Sequence, residues 1–230
     1  MIDVALATKG RNSELRLVLR QLKQQTIFDR CQLWIIDGND GNETLDICQE
    51  EMTGFATQCH YFRDKDTNKP STWPILYNFL INKGNNPLVS YWSDDIILST
   101  NELLENCVAA INGHAAVTIP SRDVNDEDTP SFMHLNEHTL RYPVINYGLI
   151  KRDWWQHIGG LDEEFLFYYA DVFFATQLAT YGQEAVKLPL EEGFIINNRH
   201  DKIWRNEHHT RLRDDSITYY RKCRELSCKN

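Results

Sequence analysis

The sequence has no apolar run of the roughly 18 residues a membrane-spanning helix needs, so no transmembrane helix is expected. Its opening, Met-Ile-Asp-Val-Ala-Leu-Ala, has neither the basic start nor the long apolar centre of a signal peptide, and none is expected. There is no GxxxxGK[ST], which removes a P-loop. The glycines of Asp37-Gly38-Asn39-Asp40-Gly41-Asn42 do not make GxGxxG, which leaves a dinucleotide fold with little support. His134 and His138 stand four apart with no HExxH around them and read as surface residues. The six cysteines, at 31, 48, 59, 107, 223 and 228, contain no CxxC pair and read as buried thiols of a reducing cytosol. A formal net charge of −9 argues against nucleic acid as the main partner. Neither an internal repeat nor a linker is visible, so the 230 residues are expected to form one continuous domain.

What is present is alternation. Val4–Thr8, Gln32–Asp37, Cys59–Arg63 and Pro87–Trp92 read as strands. Ser13–Gln25, Glu43–Met52, Trp73–Lys83 and Asn101–Ile111 read as helices, the first with Leu15, Val18, Leu19 and Leu22 at helical spacing. Strands separated by helices imply βαβ units and a mainly parallel sheet, an α/β fold. Each of these strands runs into polar or acidic residues: Thr8-Lys9, Asp37, Arg63-Asp64 and Asp94-Asp95. Open parallel sheets bind ligands at that edge.

Further along, Ala115–Ile119 reads as a strand and residues 121–131 as a polar loop, either a lid or a plain surface excursion. His138–Ile150 reads as one or two strands, Gly159–Glu164 as a turn, and Asp171–Tyr181 as a helix. Ala185–Leu188 and Phe194–Asn197 read as short strands, and Trp204–Leu226 as a terminal helix. From Arg199 onward there are nine Lys or Arg and five Asp or Glu. That +4 balance leaves −13 for the rest, and suggests either a solvated helix face or a basic tail that meets phosphates or an acidic membrane surface.

The densest signal is Leu88-Val-Ser-Tyr-Trp-Ser-Asp94-Asp95, an apolar strand that delivers two adjacent carboxylates to the sheet edge. Such a pair repels itself unless a cation offsets it. The expected purpose is to hold a divalent metal, which in turn holds a phosphate.

Taken in order, Ala7-Thr8-Lys9-Gly10-Arg11, Trp34-Ile35-Ile36-Asp37-Gly38-Asn39-Asp40, Trp92-Ser93-Asp94-Asp95, Gly159-Gly160-Leu161-Asp162-Glu163 and Tyr169-Ala170-Asp171-Val172 resemble the motifs of family-2 glycosyltransferases of the GT-A fold. The resemblance implies a Rossmann-like, mainly parallel sheet flanked by helices, with a C-terminal acceptor-side subregion. Residues 1–112 would form the nucleotide-sugar half, 113–200 the acceptor and catalytic half, and 201–230 a helical tail. The implied activity is inverting transfer of a sugar from a UDP- or dTDP-sugar to a glycan, lipopolysaccharide, capsular, lipid-linked or protein-linked acceptor. The implied setting is the cytoplasm, with peripheral membrane association through the basic tail.

The same resemblance implies roles for individual residues. Thr8 and Asp37 would contact the base and ribose, with Arg11 and Lys69 as further candidates for the nucleotide pocket. Gly38 stands where the family often has a second acid. Asp95 would ligate Mn2+ or Mg2+, and Asp94 would hydrogen-bond the ribose or help the metal. His200 would complete the metal shell or lie on polar surface. Asp171 would be the general base, its ionised form favoured by a helix N-terminus. Asp162, Glu163 and Glu164 compete for that role, although their turn more often shapes the acceptor pocket and Asp162 could itself be a cap. Trp154 and Trp155 would either stack on acceptor sugars or pack in the core. Two other readings stay open: an inactive nucleotide-sugar-binding module, and a nucleotidyltransferase, for which Thr8-Lys9-Gly10-Arg11 is poor in glycine.

Overall fold

The computed structural model describes residues 1–124, 144–166, 168–197 and 209–228. Four strands, β1 (Ile2–Thr8), β2 (Cys31–Asp37), β3 (Cys59–Arg63) and β4 (Leu88–Ser93), alternate with helices α1 (Asn12–Lys23), α2 (Glu43–Glu51) and α3 (Trp73–Lys83). A short β5 (Ile96–Leu98), α4 (Leu103–Ala110), β6 (Ala116–Thr118) and β7 (Ser121–Asp123) follow. After residue 144 come β8 (Leu149–Lys151), α5 (Arg152–Ile158), α6 (Ala170–Thr180), β9 (Ala185–Lys187), β10 (Ile195–Asn197) and a C-terminal helix, His209–Ser227.

The central sheet has seven strands in the order β3-β2-β1-β4-β8-β6-β9. The pairs β1/β2, β1/β4, β2/β3 and β6/β9 are parallel; β8 runs antiparallel to both β4 and β6. A smaller sheet orders β5-β10-β7. The mainly parallel α/β architecture expected from the alternation is therefore present.

Strand periodicity sends alternate side chains to opposite faces, and each face has its own core. Ile2, Val4, Leu6, Leu33, Ile35 and Trp92 pack with α1, α2 and α4. Ala5, Ile36, Val89 and Tyr91 pack with α3, α5 and α6. Helix α1 buries Leu15, Val18, Leu19 and Leu22, the stripe its sequence spacing shows.

Four parts differ from expectation. Ile96–Leu98, to which the sequence pattern assigns no element, is β5, antiparallel to β10. Ser121–Asp123, read as the start of a loop, is β7, which pairs in parallel with β10; a three-residue polar strand carries no alternation signal. Helix α5 was not apparent, because seven residues are too few to show a helical period. Within His138–Ile150, the described strand residues begin only at Leu149. Residues 125–131 of the expected loop, 138–143 of that strand region and 204–208 of the expected terminal helix lie outside the described residues.

At the amino edge of the sheet, Asp3 is fully buried. It accepts hydrogen bonds from Trp34 Nε1 (2.8 Å), the Asn86 backbone N–H (2.9 Å) and Asn86 Nδ2 (2.8 Å), and it pairs with Arg152. Arg152 also donates to the carbonyls of Asn86 and Ile81, so β8 and α5 are tied to β1 through one sealed cluster. All six thiols are free. Cys31, Cys48 and Cys107 are buried, Cys59 and Cys223 are half-buried, and Cys228 is exposed.

Candidate functional site

The carboxyl edge of the sheet carries the site. Strand β1 lies between β2 and β4, so the chain leaves it toward opposite sides, a topological switch point that opens a crevice. Register aligns the ends: Thr8 is level with Asp37, and Ala7 with Ser93. Just beyond Ser93, the chain presents Asp94 and Asp95, both almost wholly buried.

The pair is held by a cation of the chain itself. Arg11 Nη1 lies 2.9 Å from Asp94 Oδ1 and 2.8 Å from Asp95 Oδ2. Thr8 Oγ1 donates to the other oxygen of Asp94 at 2.7 Å, and Ser93 Oγ donates to Asp95 Oδ1. Burial pushes the Asp94 carboxyl above its ordinary range, while Thr8 and Arg11 pull it back down. The Arg11 side chain remains 38% exposed, so one side of this cluster faces solvent.

Asp37 closes the β2 end. Its Oδ1 accepts the Asn39 N–H at 2.9 Å and its Oδ2 accepts the Tyr61 hydroxyl at 2.8 Å. The residue is fully covered, so its carboxylate organises the loop after β2. Arg63 braces the same loop through the Asp40 carbonyl (2.8 Å) and Asn42 Oδ1 (2.7 Å). Lys69 pairs with Glu163 at 2.6 Å, on the rim of a cleft of about 260 Å³ lined by Thr67, Ile75, Asn78 and Lys83 among others.

The residues expected on the acceptor side lie on later elements of the chain. Asp171 lies in the first turn of α6, where the N–H groups of Asp171 and Val172 hydrogen-bond its carboxylate. Part of its surface stays open, yet dense protein surrounds the group, and desolvation outweighs those bonds. Its pKa rises from 3.8 to about 6. Among the described residues, no cation offsets that burial. The buried Tyr91 phenol, from β4, feels the Asp171 charge, which puts the two near one another.

The turn after α5 is held from three directions. Asn78 of α3 donates to the Leu161 carbonyl (2.7 Å) and accepts its N–H (2.9 Å). Gly160 has φ +81°, and a Cβ there would meet Asn78 Oδ1 at 2.5 Å, so only glycine fits. Lys222 of the C-terminal helix reaches Asp162 (2.6 Å) and Glu164 (2.8 Å), and Arg221 pairs with Glu164. Asp162 and Glu163 thus brace this turn, and two charges of the basic tail are taken up inside the molecule.

The two tryptophans divide. Trp155 is 1% exposed and packs on Tyr91 and Phe174, so it is a core residue and offers no face to a sugar. Trp154 is half-buried against His157 and Tyr181. His200, His134 and His138 lie outside the described residues. The structure brings Thr8, Arg11, Asp94 and Asp95 into one cluster, with Asp37 level with Thr8 on the neighbouring strand. Tyr61, Asn78 and the bridging position of Arg11 were not legible in the sequence, since each acts across many residues of chain.

Among the described residues, no group of three or more His, Cys, Asp or Glu stands together as a metal cage. The donor chemistry still suits a hard divalent ion. Two carboxylates already share a positive group, and Mg2+-like ions take one or two carboxylates and fill the rest of their shell with water and phosphate oxygens.

A family model described as Glycosyl transferase family 2 matches residues 3–187. No curated protein matches the chain. Among solved structures, mannosyltransferase PcManGT from Pyrobaculum calidifontis, in complex with GDP-Man and Mn2+, is similar with a TM-score of 0.74 at 12% identity, over 97% of this chain and 64% of that one. Glucosyl-3-phosphoglycerate synthase from Mycobacterium tuberculosis, in complex with phosphoglyceric acid, gives 0.69 at 11% identity, over 97% of this chain and 80% of that one. TarS 1-349 from S. aureus, in complex with UDP-GlcNAc, gives 0.58 at 15% identity, over 87% of this chain and 56% of that one. At these identities the likeness is one of fold. The chain spans less than two thirds of the length of the first and third of these proteins.

Proposed function

The chain belongs to glycosyl transferase family 2, and from that premise we propose that it moves a sugar, with inversion, from a nucleoside-diphosphate sugar to a hydroxyl of a glycan-type acceptor. The observation that carries this reading is the carboxylate pair Asp94-Asp95, held by a cation at the switch-point edge of the sheet. Solved relatives of this fold are in complex with GDP-Man and with UDP-GlcNAc, which supports a nucleotide-sugar donor; UDP- and dTDP-sugars are the first to try.

In this mechanism Asp95, with help from Asp94, would hold a divalent ion, Mn2+ or Mg2+. Bound there, the ion supplies Lewis-acid stabilisation of the departing diphosphate. Thr8 holds Asp94 by a hydrogen bond and would contact the ribose of the donor. With the carboxylates on another partner, Arg11 would turn its guanidinium to phosphate oxygens, a geometry that group matches. Asp37 reads the nucleotide only if the Tyr61 hydroxyl or the Asn39 turn gives way, because the residue is fully covered. Asp171 takes the proton of the acceptor hydroxyl as that oxygen attacks. A carboxyl pKa near 6 suits this, since the group is ionised at neutral pH yet more basic than a free aspartate.

The test is release of nucleoside diphosphate from a panel of UDP-, dTDP- and GDP-sugars with Mn2+. The wild type should turn over at least one donor, and Asp95→Ala should abolish the reaction while retaining the folded circular-dichroism spectrum. Full activity of Asp95→Ala would remove the carboxylate pair from the chemistry. Donor binding without any release by the wild type would favour a binding module.

A further inference from the structure

We propose that Asp215, on the C-terminal helix, is a positioning residue for Asp171, holding the segment that leads into α6 so that the base meets the acceptor. This rests on the assignment of Asp171 as the base.

Asp215 is 1% exposed, although it lies in a helix whose sequence reads as polar. Its Oδ1 accepts the Leu166 N–H at 2.8 Å and its Oδ2 accepts the Tyr168 N–H at 2.6 Å. One buried carboxylate thereby fixes two backbone groups just before α6. Charge-assisted bonds of this kind are roughly twice as strong as neutral ones. The next residue, Tyr169, has φ +66°, a left-handed conformation that a tyrosine adopts only when its surroundings impose it.

The same helix supplies that imposition. Tyr219, one turn beyond Asp215, stacks on Tyr169 with ring centroids 5.2 Å apart and lies 3.3 Å from the Thr176 hydroxyl of α6. Lys222, a further turn on, holds Asp162 and Glu164. Residues 215, 219 and 222 share one helical face. That face touches Asp162 and Glu164 of the turn after α5, the residues Leu166, Tyr168 and Tyr169 that lead into α6, and Thr176 of α6, the helix that carries Asp171 in its first turn. None of these contacts reaches Asp94, Asp95, Thr8 or Asp37. Loosening this face should therefore misplace the base and leave donor binding intact.

Asp215→Asn keeps the shape of the side chain but has one carbonyl oxygen for two N–H donors. Hydrogen exchange across residues 165–172 should accelerate by about tenfold, with residues 88–95 unchanged. Turnover of the best donor with Mn2+ should fall about ten- to a hundredfold at unchanged donor KM, the size expected for a base displaced by a fraction of an ångström to an ångström. Unchanged exchange at 165–172, unchanged turnover, or a parallel loss of donor affinity would each overturn the proposal. If Asp215→Asn does not fold, Tyr219→Leu replaces it, with the same split deciding in the same way. Asp171→Asn is measured alongside: if that variant keeps its turnover, the reading of Asp171 fails; if it is inactive while Asp215→Asn matches the wild type, only the positioning role fails.

Discussion

The two edges of the central sheet each bury acid against an arginine, and they do so in opposite ways. At the amino edge, Asp3 and Arg152 are both sealed, and Asp3 has every partner it needs from Trp34, Asn86 and Arg152 itself. At the carboxyl edge, Asp94 and Asp95 share Arg11, whose side chain is still partly in water. A sealed pair is architecture: removing one partner strands a charge that no solvent can reach. An open pair is exchangeable, because the arginine has somewhere to go and another cation has a way in. Asp171 is a third case, a carboxylate surrounded by protein whose burial no cation among the described residues offsets, and its raised pKa is the result.

The largest effect should come from breaking the sealed edge. Arg152→Ala leaves Asp3 buried without its cation and should cost about 3–5 kcal/mol in urea unfolding, a deficit relative to wild type that stays the same when Mn2+ and UDP are added to both. Next comes the uncovered carboxylate. Asp171→Asn should lower nucleoside-diphosphate release by about 10²–10⁴-fold. Because the native state binds this proton more tightly than the unfolded chain, the ionised group costs stability above about pH 6 and costs nothing below about pH 3.8. The same variant should therefore melt higher than wild type near pH 8 and equally near pH 3.5, and the wild-type rate should fall as pH drops through about 6.

At the open edge, Arg11→Ala should cost about 1–2 kcal/mol without metal, and Mn2+ should return most of it. If Mn2+ restores Arg152→Ala and not Arg11→Ala, the distinction between the edges is wrong. The smallest effect belongs to the exposed rim: Arg221→Ala, which loses only its half-exposed pairs with Glu164 and Glu225, should barely shift the urea unfolding midpoint, and less still in high salt.

The sequence revealed the strand-end cluster far better than the surroundings of Asp171, for a physical reason. Thr8, Asp37 and Asp94-Asp95 each end a strand with a clear period, and parallel topology alone carries such ends to one edge. Arg11 was legible as a candidate, but its position between two carboxylates depends on contacts 83 and 84 residues apart. Trp154 and Trp155 were indistinguishable in sequence, and only the helix they share decides which one enters the core. Asp215 gave no signal, since an acid in a charged helix looks solvated until the opposing backbone is known.

The cysteines have a practical consequence. Burial raises the Cys31 thiol to about 12 and the Cys59 thiol to about 11, and pushes Cys48, Cys107 and Cys223 upward as well, so these five should react more slowly with thiol reagents than an exposed cysteine. Cys228 stands exposed just beyond the C-terminal helix. A single fluorophore can therefore be attached there in the natural sequence, giving an optical reporter on the helix whose other turns grip the segment ahead of Asp171.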